Sequence, residues 1–274
     1  SLFEVPGIQS ITVVANLSAE AVSQLRLGTT SITRLDLHHY QTRDMDLSSL
    51  LAATPRLKYL KYHARTDYNW LNASHNFKRI PGHIVGLDLL HEALYHVSGS
   101  LEELHLSVDV DEDSHHWSPG FGGGYERLYG RTADLFGLKR LQALTIPYIA
   151  LLGHKRESYT FDWNEMLPSS LRTIVFNDDL NENYEPDLWT DDDLMPVLLT
   201  LVEWLSAAEG GNQTAQFGLR LAHLDTDFNK PVRRELTRIC EERDVRCSIE
   251  KAHKDRRRLP YSPWEEPIEE EEEV

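Results

Sequence analysis

Six stretches of this chain fit one template, an apolar residue at positions 1, 4 and 6 of a six-residue unit. They are Ile8, Ile11 and Val13; Ile32, Leu35 and Leu37; Leu57, Leu60 and Tyr62; Leu101, Leu104 and Leu106; Leu141, Leu144 and Ile146; and Leu171, Ile174 and Phe176. In a leucine-rich strand unit such residues turn into a core, while those between them stand on the other face of the sheet. The first positions are spaced by 24, 25, 44, 40 and 30 residues. The short steps match the usual period of about 20–29 residues, and the long ones require helices or loops between strands. A weaker copy is expected at Leu219 and Leu221, and a closing strand at Val245, Cys247 and Ile249.

These repeats predict an α/β fold over residues 1–252. It is an irregular leucine-rich-repeat solenoid, with a parallel sheet on its concave face and helices and loops on its convex side. Between strands the apolar period changes from 2 to about 3.6. Leu47, Leu50 and Leu51 form one short stripe ending before Pro55. Leu87, Leu90, Leu94 and Val97 form a second, closed by Gly99. Leu194, Val197, Leu198, Leu201 and Leu205 form a third, with Asp192 or Asp193 as N-cap and Pro196 in the first turn. Val232, Leu236 and Ile239 form the last, starting near Pro231.

Two insertions stand out, residues 63–83 and 107–134, and both are expected to project from one edge of the solenoid. The first is aromatic and basic; the second opens with acids and histidines and turns glycine-rich at Gly120–Gly124. Beyond Lys251 the periodicity stops. A basic cluster around Arg256–Arg258 gives way to prolines and five consecutive glutamates, so residues 253–274 are expected to be a disordered tail.

The net charge is −16, and −9 without the seven acids of the tail, which repels a polyphosphate backbone and argues against nucleic acid. No run of 18 apolar residues exists, so no membrane partner is expected, and no signal peptide is visible at Ser1–Ser10. Cys240 and Cys247 are the chain's two cysteines, read as free, core-facing thiols in a reducing compartment. An intracellular location, cytoplasmic or nuclear, follows. The three Asn-x-Ser/Thr sequons are read as chance matches. The chain does not begin with Met and enters repeat-like sequence almost at once, so it is read as a fragment of a longer protein.

The tests for chemistry return little. The acidic run Asp109–Asp113 lacks the glycine and the closing glutamate of a calcium loop. The glycines at 120–124 are not followed by the Lys-Ser or Lys-Thr of a phosphate loop, and no G-x-S-x-G elbow occurs. The thirteen histidines show no helical zinc spacing. We expect no enzyme activity, no cofactor and no metal. A polar binding face is the stronger reading, because His38, His63 and His105 each lie beside a template residue and fall on the concave sheet. The same logic places Arg34, Asp36, Tyr59, Lys61 and Glu103 there. The later strands present Ala143, Thr145, Thr173 and Val175, so specific polar readout is expected in the N-terminal half. Trp70, Trp117 and Phe121 are candidate loop anchors, since aromatics supply many interface hot spots.

From Leu138 to Val245 the phrasing becomes more specific. The stretches are Leu138–Pro147, Ala150–Gly153, Leu167–Ile174, Trp189–Asp192 and Leu236–Val245. In that order they resemble the C-terminal leucine-rich region of filamentous-fungal F-box-like proteins. The resemblance covers most of residues 30–250. It implies a substrate-binding half of a ubiquitin-ligase receptor, whose F-box binds the Skp adaptor of a cullin–RING ligase. Residues 1–28 are too short for an F-box and already hold a repeat strand. Protein–protein recognition is therefore the expected function, with Skp and cullin as partners if an F-box lies upstream. A stand-alone scaffold without a ubiquitin role is one alternative; a metal-binding or catalytic protein using the His-rich face is another.

Overall fold

The structure, a computed structural model, describes residues 7–14, 31–40, 47–66, 85–110, 128–129, 135–152, 161–177, 191–207, 215–221 and 229–251. Ten strands are found among them: β1 (Ser10–Val14), β2 (Arg34–Tyr40), β3 (Tyr59–Thr66), β4 (Val85–Gly86), β5 (Glu103–Val110), β6 (Leu128–Tyr129), β7 (Ala143–Pro147), β8 (Thr173–Asn177), β9 (Gln216–Leu221) and β10 (Arg246–Lys251). Eight form one sheet in the order β1-β2-β3-β5-β7-β8-β9-β10, and every pairing in it is parallel. Helices α1 (Leu47–Ala52), α2 (Leu87–Tyr95), α3 (Tyr148–Leu152), α4 (Trp163–Met166), α5 (Asp191–Ala207) and α6 (Asn229–Glu242), with a short 3-10 turn at Leu135–Gly137, lie between the strands. The protein is thus α/β, with helices and an eight-stranded parallel sheet.

Alternation within each strand sorts its residues between two faces. Leu35, Leu37, Leu60, Tyr62, Leu104, Leu106, Leu144, Ile146, Ile174 and Phe176 are buried, as the template requires. Helix residues Leu50, Leu51, Leu90, Leu94, Leu198 and Leu201 fill the same apolar cluster. Each such Leu contributes roughly 1.5–3 kcal/mol of transfer free energy on burial. The first template positions Ile32, Leu57, Leu101, Leu141 and Leu171 are all fully buried just before their strands.

A second device fixes where each strand begins. In the first five units the residue after the first template position turns its carbonyl sideways and accepts two amides from the next unit, whereas Arg172 O of the sixth accepts Gln216 N alone. Gln9 O accepts from Thr33 N and Arg34 N, at 2.8 and 2.9 Å. Thr33 O serves Lys58 N and Tyr59 N, and Lys58 O serves Glu102 N and Glu103 N. Glu102 O then serves Gln142 N and Ala143 N, and Gln142 O serves Arg172 N and Thr173 N. These carbonyls form a ledge along the entry edge of the sheet. At the same edge Glu102 Oε1 meets Lys58 Nζ at 3.1 Å and Arg140 Nη2 at 3.0 Å, tying three units together.

At the exit edge the ladder meets a proline. Extending the two-residue step from Ala143 N on Glu102 O, the donor for Leu106 O would be residue 147. That residue is Pro147, which has no N–H. Asn177, from the strand beyond, supplies the donor instead: its Nδ2 reaches Leu106 O at 3.2 Å. The amide is buried, and its Oδ1 accepts no hydrogen bond among the described residues.

Several sequence expectations need correction. In β9 the register sets Phe217 against Ile174 and Leu219 against Phe176, so the template positions fall at buried Phe217 and Leu219, two residues before the expected Leu219 and Leu221. Phe217 occupies the leucine position and meets Phe176 edge-on at 6.4 Å. Helix α5 starts at Asp191, so Asp192 and Asp193 lie inside it and Pro196 falls beyond the first turn. Helix α2 ends at Tyr95, and Val97 is buried from the turn that follows. The insertions begin later than expected, since β3 runs to Thr66 and β5 to Val110. Val85–Gly86, just after the first insertion, pairs in parallel with Leu128–Tyr129 inside the second. The tail 253–274 and the glycine run 120–124 lie outside the described residues.

At the C-terminal end, Asp162 caps α4 by accepting from Asn164 N, and Trp163 Nε1 and Trp204 Nε1 donate to Thr200 Oγ1 and Asn164 Oδ1 across α4 and α5. Helix α6 closes in a Schellman turn: Asp244 takes φ 55°, Asp244 N donates to Glu241 O, and Val245 N donates to Cys240 O at 2.9 Å. Buried Val245 follows it, and Arg243 reaches Glu203 on α5.

Candidate functional site

The face of the sheet opposite the helix-packed core collects the residues between the template positions. Register brings all eight strand residues expected there into one block on β2, β3 and β5. Arg34 pairs with Tyr59 and Tyr59 with Glu103. One step along, Asp36 pairs with Lys61 and Lys61 with His105. A further step pairs His38 with His63, and His63 with Ser107.

The side chains in this block hold one another. The Arg34 guanidinium carbon stands 3.4 Å from the centroid of the Tyr59 ring, close enough for a cation–π contact. Tyr59 also meets His105, with ring centroids 5.1 Å apart and tilted. His38 and His63 are 5.4 Å apart and tilted, and His63 Nδ1 is hydrogen-bonded to Ser107 Oγ at 2.7 Å. His38 Nε2 lies 3.0 Å from Asp36 Oδ1, yet that oxygen is buried and accepts no aligned hydrogen bond among the described residues. The contact is therefore one of charge and proximity, not an aligned hydrogen bond. Lys61 Nζ approaches Asp36 Oδ2 only to 3.9 Å, and His105 Nε2 approaches Glu103 Oε2 to 3.8 Å. Pairs at such distances in partly exposed positions contribute little to stability. Burial pushes the Tyr59 phenol above its usual pKa, partly opposed by the neighbouring Arg34 charge, so it stays neutral at physiological pH.

Beyond β5 the face changes character. Ala143, Thr145, Thr173, Val175 and Gly218 follow along the same rows, and Thr145 is buried. A Cβ on Gly218 would come within 3.0 Å of Val175 Cγ2, so this part of the face is filled by small apolar groups. Sequence reasoning missed Ser107, which it assigned to an insertion. The alternation that places Glu103 and His105 on this face extends to residue 107. Trp70, Trp117 and Phe121 lie outside the described residues.

A block of packed rings, a lysine and two carboxylates on adjacent parallel strands can hold a partner by stacking, charge and hydrogen bonds. Among the described residues no group of three or more His, Cys, Asp or Glu side chains is placed to hold a metal ion. No described helix is long and apolar enough to cross a membrane. An open hollow of about 420 Å³ runs along α6 and is lined by Arg233, Arg234, Thr237, Arg238 and Glu241. Arg238 is already engaged by Glu235 and Glu242 on its own helix.

The fold and this face define an α/β protein built on an eight-stranded parallel sheet with one polar, ring-rich end. Comparison with protein-family models, with curated proteins and with solved structures finds no match to this chain.

Proposed function

We propose that the chain is a leucine-rich-repeat solenoid that recognises a protein partner through the N-terminal half of its concave sheet. In this reading it acts as the substrate-binding part of an F-box-type ubiquitin-ligase receptor. The observation that carries the recognition surface is the side-by-side placement of Arg34, Tyr59, Glu103, Asp36, Lys61, His105, His38 and His63 on three adjacent strands. Rings already stacked on neighbours lose little freedom on binding, which favours affinity. Tyr and Arg are the residue types that dominate interface hot spots. The solenoid reading rests on the strand order following the chain and on the buried first template positions Ile32, Leu57, Leu101, Leu141 and Leu171. The ligase role rests on the sequence resemblance alone.

Affinity purification of the full-length protein from its native host, followed by mass spectrometry, tests both parts. Recovery of the Skp adaptor and a cullin is expected, together with prey lost from the Tyr59→Ala, Lys61→Ala double variant. Prey without adaptor and cullin would sink the ligase role and leave a plain scaffold. Prey retained in full by the folded double variant would move recognition off this face.

A further inference from the structure

The eight-stranded sheet ends at β10. That strand pairs with β9 along one side, and no strand among the described residues pairs with its other side. Arg246 N donates to Ala215 O, next to β9, at 2.8 Å. In a parallel ladder alternate residues address the same neighbour, so Cys247 and Ile249 turn their N–H and C=O groups to the open edge. Their side chains are only half-buried, whereas Phe217 and Leu219, their lateral partners on β9, are buried. A bare edge of this kind is a template for another strand.

The order of residues along β10 decides which strand fits. It reads Arg246-Cys247-Ser248-Ile249-Glu250, a run with opposite charges at its ends and an apolar residue on each side of its centre. Turned end for end and laid against itself about Ser248, it sets Arg246 against Glu250 and Glu250 against Arg246. Cys247 then meets Ile249, and because their backbone groups point outward these two form the hydrogen-bonded pairs. Arg246, Ser248 and Glu250 fall in the closer, non-hydrogen-bonded pairs on the opposite face, where facing charges of opposite sign attract. On that face Ser248 Oγ already donates to Glu250 Oε1 at 2.8 Å. A parallel copy, or one slipped by a pair, loses these matches.

Helix α6 repeats the pattern one layer away. The Schellman turn reverses the chain, so α6 runs antiparallel to β10, which it packs against. Ser248 stands about 7 Å beyond the start of β10. Thr237 stands about 8 Å back from the end of α6, so the two are level. Arg243 on this helix reaches Glu203 on α5. At about 100° per residue, Arg233, Thr237 and Glu241 share the flank turned away from α5 and toward the open edge. That flank borders the open hollow. Arg238 is held by Glu235 and Glu242 on its own helix, which leaves Arg233, Arg234 and Glu241 as the charges of the hollow. Arg233 and Glu241 lie equally far to either side of Thr237. A two-fold axis through Ser248 therefore turns Arg233 of one copy toward Glu241 of the other.

We propose that two copies of this chain join edge to edge through β10, antiparallel about Ser248, with their α6 flanks facing across the axis. The two sheets become one, and every contact occurs twice, which doubles each charge match. The polar block on β2, β3 and β5 lies toward the far end of each copy, so the pairing leaves it open and does not depend on its use.

Sedimentation equilibrium of the full chain over a concentration series is expected to show a monomer–dimer equilibrium. Arg246→Glu or Glu250→Arg alone sets like charges against each other twice and should weaken dimerisation about tenfold or more. Both side chains are exposed, so neither change touches the core. Arg246→Glu combined with Glu250→Arg exchanges the signs and should restore the dimer. Ser248→Cys reads the register. Its two copies meet at the axis with Cα atoms about 4.5 Å apart, within the span of a disulfide, so mild oxidation should give a cross-linked dimer that the wild type does not form. A chain that is monomeric at every concentration would overturn the proposal. So would a dimer that keeps its affinity through both single changes, or one that the double change fails to restore.

Discussion

The two ends of the sheet share one core and wear different faces. On β2, β3 and β5 the residues between template leucines are Arg, Asp, His, Tyr, Lys and Glu; on β7, β8 and β9 they include Ala, Thr, Val and Gly. The buried positions do not follow this division, since Leu35, Leu60 and Leu104 are as inaccessible as Leu144, Ile174 and Phe217. Stability and the proposed recognition therefore fall on separate positions of the same strands. A sheet of this kind can change its specificity at one end without disturbing the packing that carries it.

That separation can be broken most directly in the core. Phe176→Ala and Leu104→Ala should each destabilise the protein by about 3–5 kcal/mol, measured by urea unfolding, because each leaves a cavity in a close-packed cluster. Similar losses at the two sites would confirm that both ends share one cooperative core. A loss under about 1 kcal/mol at either would show that its end is packed independently. Asn177→Ala tests the seam between the ends, since its side chain spans from β8 to β5 past Pro147. Losing that donor leaves Leu106 O buried without a partner and should cost about 1–2 kcal/mol, again by urea unfolding. Asp244→Gly should act in the opposite direction. Its left-handed φ suits glycine, so thermal unfolding should report a gain of about 0.5–1 kcal/mol, with partner capture unchanged. The smallest effect belongs to Glu102→Gln at the entry edge. Its partners Lys58 and Arg140 are more than half exposed, and the loss should be about 0.5 kcal/mol, shrinking further at high salt.

Much of this architecture was legible in the residues. Leucines at spacings of three and two mark a strand entry followed by alternation, and wherever that pattern stood the register matched it, from Ile32 to Phe176. The polar block was legible for the same reason, because residues flanked by buried leucines can only face away. What escaped notice obeys rules that act across strands. Phe217 fills a leucine's place in the core, and only its lateral neighbours Ile174 and Cys247 reveal the alignment. Asn177 looks like a loop residue until Pro147 on the adjacent strand is seen to lack a donor. The two-residue pairing of β4 with β6 has no periodicity to detect. The start of α5 was misplaced by two or three residues because three consecutive aspartates all suit a cap.

The carbonyl ledge has a consequence for how such a chain tolerates change. From β2 to β8 each unit, whether 24 or 44 residues after the last, re-enters the eight-stranded sheet by hanging two amides on the same kind of oxygen. Alignment is thereby reset at each crossing, and an error in one connection is not handed to the next. Length added between units has nowhere to accumulate except outside the sheet, so connections can lengthen, shorten or be exchanged while the strands keep time.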